Sequence, residues 1–247
     1  MEHAAHRLCH PGAPCRIIAH RGYSSAYAEN SLEAYEQAIA AGADFVEIDL
    51  RPTSDGGIVC HHDATTGGFS ISKLTTAELA ERGIVSLAAV LPKLFDRVGL
   101  VFDLKVEAIG LAADALALLR RNTMLAQAVI GVRSLGQAEY VRAISPESVV
   151  LGLLNEPGSV RDFYGIGGHI IRLWEEDCDA DRLASIRRQN RLVWITAGRR
   201  SANGRPGDID MQGLKRLFQL NVDGILVNDP QQAIRARQAF ENQAVTP

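Results

Sequence analysis

The sequence has few of the features that mark metal–thiolate, membrane or nucleic-acid proteins. It holds only four cysteines in 247 residues, and none forms a CxxC pair, which argues against zinc or dithiol chemistry and favours free thiols. No apolar run approaches the ~18 residues that cross a bilayer. The net charge of −3 lacks the basic excess of a nucleic-acid groove. A membrane span and a nucleic-acid partner are therefore not expected.

The remaining composition is that of a soluble globular chain, with 47% apolar and 22% charged residues. Its length suffices for one large core. Because no shift of composition marks a boundary, residues 1–247 are predicted to form one domain, with residues 1–15 as a peripheral N-terminal segment. That segment lacks the apolar stretch of a signal peptide. A cytoplasmic location is therefore expected.

Strand-like and helix-like runs alternate along the whole sequence. Residues 30–42 carry apolar side chains at helical spacing, and Gly42 is placed to end that helix. Similar helical patterns fill residues 110–122 and 179–190. A further helical pattern near the end of the sequence begins with Pro230. The strand-like runs are residues 16–22, 45–51, 99–106, 128–133, 148–155, 169–175, 191–198 and 223–229.

Eight such strand–helix units predict an α/β protein with a (β/α)₈ TIM barrel. A doubly wound open sheet is the alternative. It is disfavoured because the sequence has no GxGxxG or GxxxxGK[ST] stretch, which such sheets often use for a nucleotide. A further short run at residues 57–63 precedes the next convincing helix. A short insertion after the second strand is therefore predicted.

The second strand-like run, FVEIDLR, places two carboxylates on one side. Successive strand side chains point to opposite faces, so Glu47 and Asp49 share a face. Two inward carboxylates repel unless a cation lies between them. The third run, VFDLKV, repeats the pattern with Asp103 and Lys105. A structural ion pair between Asp103 and Lys105 is the simpler interpretation of the third run. A shared cation site would explain the carboxylates of both FVEIDLR and VFDLKV.

Further polar residues fall at the ends of the early strands, where a TIM barrel carries its chemistry. His20 and Arg21 end the first strand, and His62 ends the inserted run. Three carboxylates without thiols suit a hard ion such as Mg²⁺ or Ca²⁺. Arg21 and Lys105 would hold an anion such as phosphate. Two histidines could act as general acid and general base, with pH limits near neutrality, and this set indicates phosphate-ester cleavage.

In this order, these residues resemble the glycerophosphodiester phosphodiesterase family. The likeness covers most of the chain and is dense in its first 105 residues. The matching pieces are AHRG (19–22), residues 28–59, HD (62–63), SLAAVL (86–91), DLK (103–105), VWITAG (193–198) and VDGILVNDP (222–230).

The resemblance implies a TIM barrel that hydrolyses glycerophosphodiesters to glycerol 3-phosphate and an alcohol. The expected partner is this small-molecule substrate. It implies a cyclic phosphate intermediate and one divalent metal ion, Mg²⁺ or Ca²⁺, with Mn²⁺ as a further option. The residues that match are His20 and His62 as the acid–base pair, Arg21 and Lys105 as phosphate contacts, and Glu47, Asp49 and Asp103 as metal ligands. Trp194 is a further candidate for substrate binding.

The sequence departs from the family pattern in places that concern the substrate. Asp103 stands where the family has glutamate, the inserted segment is short, and VNDP replaces the more usual TDxP. Two alternatives stay open: a related barrel phospholipase acting on intact lipids, and a non-catalytic barrel that binds a phosphorylated ligand. A Schiff-base aldolase using Lys105 is set aside, because neighbouring carboxylates favour a charged lysine. The released alcohol and the oligomeric state are left open.

Overall fold

The computed structural model describes residues 13–154, 159–188, 191–200 and 205–245. The part of the predicted peripheral segment before residue 13, with Cys9, lies outside these residues. The strands are β1 (Arg16–Ala19), β2 (Phe45–Pro52), β3 (Ile58–Cys60), β4 (Thr65–Thr66), β5 (Phe69–Ser70), β6 (Gly99–Leu104), β7 (Ala128–Val132), β8 (Val149–Gly152), β9 (Ile170–Trp174), β10 (Leu192–Thr196) and β11 (Gly224–Val227).

Helices connect the parallel strands. They are α1 (Leu32–Ala41), α2 (Thr76–Ala80), α3 (Leu87–Leu94), α4 (Ile109–Arg121), α5 (Leu135–Ile144), α6 (Ser159–Gly165), α7 (Ala180–Arg187), α8 (Met211–Gln219) and α9 (Pro230–Val245). In α1, the Ser31 side chain accepts a hydrogen bond from the Ala34 amide, and Gly42 ends the helix at φ 90°. Within the described residues, no helix is long and apolar enough to cross a membrane.

Eight parallel strands close into a barrel in the order β1-β2-β6-β7-β8-β9-β10-β11. Strand β11 returns to β1 with Arg16 opposite Gly224 and Ala19 opposite Val227. The pairing between β1 and β2 is shorter and aligns Ala19 with Val46. The predicted (β/α)₈ barrel is therefore confirmed.

The predicted insertion after the second strand is also confirmed. Strand β3 pairs antiparallel with the end of β2, with Cys60 opposite Leu50. The hairpin β4–β5 and helix α2 follow. A small apolar cluster packs β3 and α2 together with the segments beside them; its members are Val59, Ile71, Leu74, Leu79 and Ile84.

The core has two parts, one outside the barrel and one inside it. Val46 and Ile48 of β2 point outward and pack against the helices. Phe45 of the same strand points inward, where its ring centroid lies 5.2 Å from that of Trp194. This alternation places Glu47 and Asp49 on the inner side, above an apolar floor. Cys15, Cys60 and Cys178 are free thiols, as the sequence predicts.

Candidate active site

A cavity opens inside the barrel at the carboxyl ends of its strands. Its volume is about 240 Å³, and TIM barrels place their chemistry at this face. The predicted residues that line it are His20, Arg21, Glu47, His62, Asp103, Lys105 and Trp194. Asp49 is fully buried and contacts two of these residues, Lys105 and Arg21. The structure thus brings together every residue that the sequence nominates.

The three carboxylates meet because β2 and β6 are neighbours. Their register puts Asp49 beside Asp103, with Glu47 two residues earlier on β2. One carboxylate oxygen from each residue lies within 4.8 Å of the others, and all three residues are buried. The expected convergence of the two polar strands is therefore present.

Asp49 is held by two cations and an amide. Lys105 Nζ lies 2.8 Å from Asp49 Oδ1, and Arg21 Nε lies 3.2 Å from Oδ2. Asn30 donates a hydrogen bond of 2.8 Å to Oδ2 and accepts one from the Asp49 amide. Burial alone would raise the pKa of Asp49, but Lys105 and Arg21 outweigh it and hold that pKa below its ordinary value.

Asn30 owes this position to its backbone. Its φ of 54° is left-handed, a conformation that asparagine tolerates better than most residues. The Tyr35 hydroxyl donates to Asn30 Oδ1 at 3.1 Å, which fixes the orientation of the amide. The sequence analysis does not foresee that Asn30 positions Asp49.

Asp103 is also paired with two cations. Lys105 Nζ lies 2.6 Å from Asp103 Oδ2. Arg133, at the end of β7, donates through Nε to Oδ1 at 2.9 Å and through Nη2 to Oδ2, which is the two-pronged geometry that suits a carboxylate. Sequence reasoning missed Arg133. The signal was present, because a cation ends the strand next to β6.

Glu47 is the least compensated of the three carboxylates. Its Oε2 accepts a hydrogen bond of 2.8 Å from the Arg21 amide. Burial and the neighbouring Asp49 raise the pKa of Glu47 well above its ordinary value. A further positive charge would therefore stabilise its ionised form.

The acidic group could hold a metal ion. Asp49 Oδ1 is buried and lies 2.8 Å from Lys105 Nζ without the geometry of a hydrogen bond, and three converging carboxylates suit a hard divalent cation. Asp103 would join the ligands by giving up part of its contact with Lys105 or Arg133. The residues present therefore fit such an ion.

His20 is buried and tied to the last barrel strand. Its Nδ1 lies 2.8 Å from Asn228 Oδ1. The Asn228 amide nitrogen donates to the Pro206 carbonyl and to Asp208, so its oxygen faces His20 and accepts from a protonated Nδ1. This leaves Nε2 of neutral His20 without a proton. Burial and the adjacent Arg21 lower the pKa of His20 to about 4.

His62 is more exposed and has an acidic neighbour. Its Nδ1 lies 2.8 Å from Asp63 Oδ1. The Arg51 side chain donates two hydrogen bonds to the His62 carbonyl, at 2.8 and 2.6 Å. Burial and the charge on Lys105 lower the pKa of His62. Because β3 ends at Cys60, Arg51 rather than strand alternation orients His62.

The wall opposite β2 is formed by β9 and β10. Trp194 lies on the floor, 3% exposed and packed on Phe45. Arg172 of β9 lies beside Trp194 in the strand register, Trp174 follows two residues later, and the Arg172 guanidinium lies 4.4 Å from the centre of the Trp174 ring. Sequence reasoning did not nominate Arg172. Its position among the inward residues of β9 was the available signal.

Residues 20–123 match the model of the glycerophosphoryl diester phosphodiesterase family. The chain is 46% identical over 70 residues to a probable glycerophosphodiester phosphodiesterase 1 of Mycobacterium tuberculosis, a stretch that covers 26% of each chain. It is 39% identical over 75 residues to a glycerophosphodiester phosphodiesterase of Bacillus altitudinis, covering 29% of this chain and 31% of that one. The matched stretch thus spans about a quarter to a third of these curated relatives.

Solved structures share the fold over most of the chain. A putative glycerophosphodiester phosphodiesterase from Galdieria sulphuraria has a TM-score of 0.80 at 18% identity, covering 91% of this chain and 98% of its own. A phosphodiesterase from Oleispira antarctica, solved in complex with sn-glycerol-3-phosphate, has a TM-score of 0.79 at 19% identity, covering 95% and 99%.

The fold and the site define a (β/α)₈ barrel with a buried acidic group at its carboxyl-terminal mouth. Together with the family model that matches residues 20–123 and the curated relatives, they make the chain similar to the glycerophosphodiester phosphodiesterase TIM-barrel family.

Proposed function

We propose that this protein hydrolyses glycerophosphodiesters to glycerol 3-phosphate and an alcohol. The observation that carries the proposal is one cavity that holds two histidines in different surroundings beside a buried acidic group and four cationic side chains. Simple binding of a phosphate would need the cations but not a matched acid–base pair. Relatives named for this reaction match 26% and 29% of the chain.

The acidic group would take the metal ion, through Glu47, Asp49 and Asp103. When bound, a divalent ion there neutralises charge on the phosphate oxygens. Arg21 and Lys105, which flank Asp49, would hold the phosphate from the protein side. Trp194 forms the apolar floor on which the glycerol carbons would rest.

The histidines divide the proton transfers according to their surroundings. Neutral His20 has a free Nε2 and takes the proton of the neighbouring glycerol hydroxyl as that oxygen attacks phosphorus. Protonated His62, beside Asp63, gives its proton to the departing alcohol oxygen, and a cyclic phosphate is left. In the second step the roles reverse: His62 takes a proton from water, and His20 returns its proton to the glycerol oxygen.

The proposal is tested by incubating the purified protein with glycerophosphodiesters of neutral, cationic and anionic alcohols and measuring glycerol 3-phosphate. We expect release in the presence of Mg²⁺, Ca²⁺ or Mn²⁺, complete loss in excess chelator, and recovery when one of these ions is restored. Full activity in chelator would contradict the metal assignment. If no diester is cleaved with any of the ions, the proposed hydrolysis is wrong.

The pH dependence of kcat/KM should have its maximum below neutrality. As the base, His20 has a pKa of about 4, so the rate should rise as the pH passes upward through that value. As the acid, His62 has a pKa below its ordinary 6.5, so the rate should fall again before neutrality. This range is lower than the near-neutral one that the sequence alone indicates. A profile that is flat across it would argue against the histidine pair.

A further inference from the structure

Strand β9 places a basic residue inside the barrel, on the wall that faces the acidic group. In the cyclic strand order, β9 is the fourth strand from β2 in either direction, so the two strands are opposite each other. The register aligns Arg172 with the inward-facing Trp194 of β10. Arg172 therefore projects into the cavity, which it lines.

Arg172 differs from the other cations of the cavity because, among the described residues, no carboxylate forms an ion pair with it; Asp103 and Asp177 favour its charge only from beyond ion-pair distance. Arg21 and Lys105 pair with Asp49, and Arg133 pairs with Asp103. Within the described part of the chain, Arg172 has no ion pair, and its Nε is buried without a hydrogen-bond partner. Burial lowers the pKa of Arg172 to about 10, which still leaves it charged at neutral pH. Arg172 is half-buried, and a partly desolvated charge without an ion-pair partner is costly.

The aromatic side chain beside Arg172 is already in contact with cations. The Arg172 guanidinium lies 4.4 Å from the centre of the Trp174 ring, and that of Arg200 lies 5.6 Å from it. Arg200 is held in turn by Asp177 at 2.6 Å. A quaternary ammonium would meet like charges here rather than an open aromatic face. This wall therefore disfavours a cationic alcohol.

We infer that the preferred substrates are glycerophosphodiesters whose alcohol carries an anionic group of its own, a phosphate or a carboxylate, which Arg172 binds. The inference rests on the proposed function. The phosphodiester would lie between Arg21 and Lys105, and the second anion would extend across the cavity to β9. That anion would supply the counter-charge that Arg172 lacks, in the planar two-pronged geometry that guanidinium groups favour.

The test compares three diesters of the same glycerophosphate: glycerophosphoglycerol, the same diester with a terminal phosphate, and glycerophosphocholine. In the wild type, kcat/KM for the phosphate-bearing diester should exceed that for glycerophosphocholine by about ten-fold or more. The ratio of anionic to neutral substrate should fall about ten-fold in Arg172→Gln and less in Arg172→Lys. It should also fall with rising salt, which screens the second ion pair.

Arg121→Gln is the matched control, since it removes an exposed arginine from the C-terminal end of α4. Its ratios of kcat/KM between the three diesters should equal those of the wild type. An unchanged ratio in Arg172→Gln, or a wild type that prefers the choline diester, would overturn the inference. If Arg172→Gln does not fold, the salt dependence of the wild-type ratio decides. If the wild type cleaves no diester, the proposed function fails, and isothermal titration of the same three diesters still shows whether Arg172 binds the second anion.

Discussion

Replacing Asp49 by asparagine is expected to lower the free energy of unfolding by about 3–5 kcal/mol and to abolish diester hydrolysis. Asp49 is fully buried and neutralises Lys105 and Arg21. The amide keeps the shape but removes the negative charge, so Lys105 and Arg21 each lose their fully buried counter-charge and keep only Asp103 and Glu29, respectively, as ion-pair partners. Urea denaturation measures the stability, and glycerol 3-phosphate release measures the activity.

Asp114→Asn is the control, because it removes a carboxylate from the exposed face of α4; a change within about 0.5 kcal/mol is expected. Adding Lys105→Met to Asp49→Asn should recover part of the lost stability, since it removes one of the two cations that lose their contact with Asp49, but no activity. Wild-type stability in the single variant would show that Asp49 is not the counter-ion of this cluster.

The second large effect is expected at His62. Changing it to alanine should lower kcat by about 10²-fold or more, the size expected for loss of a general acid. His62 lines the cavity beside Asp63, and its carbonyl is held by Arg51. The fold should be unaffected, because the side chain is 37% exposed. Steady-state kinetics with glycerophosphoglycerol, together with thermal denaturation, measures both effects.

His61→Ala is the matched control, since it removes the adjacent imidazole, which does not line the cavity. It should leave kcat within about three-fold of wild type. Equal losses in the two variants would mean that the inserted loop, rather than the His62 imidazole, limits the reaction.

The strand and helix order was predictable because each element carries its own periodicity. Alternation within FVEIDLR placed Glu47 and Asp49 on the inner face, and the structure places them there. Alternation also placed Asp103 on the inner face of its strand. Asp103 joins Glu47 and Asp49 because strands that follow one another in a barrel are neighbours. Short-range patterns were sufficient for this half of the site.

The partners of these residues were not predictable in the same way. Asn30 reaches Asp49 only because of a left-handed turn, and Asn228 orients His20 across 208 residues of sequence. No local period encodes either contact. Arg172 is a different case. Alternation along β9 predicts that its side chain points inward, but a single charge in an apolar strand gives no sign of a binding role.

The contact between His20 and the last strand has a consequence for how the molecule is made. During synthesis β1 emerges first, yet β11 must be completed before Val227 can accept from the His20 amide and Asn228 can orient the imidazole. Until then, β1 presents an unpaired edge, which is prone to aggregation. A nascent chain that stalls before β11 would hold the acidic and basic residues of the site without the strand that completes it. Catalytic competence would thus appear late, as one of the final events of folding.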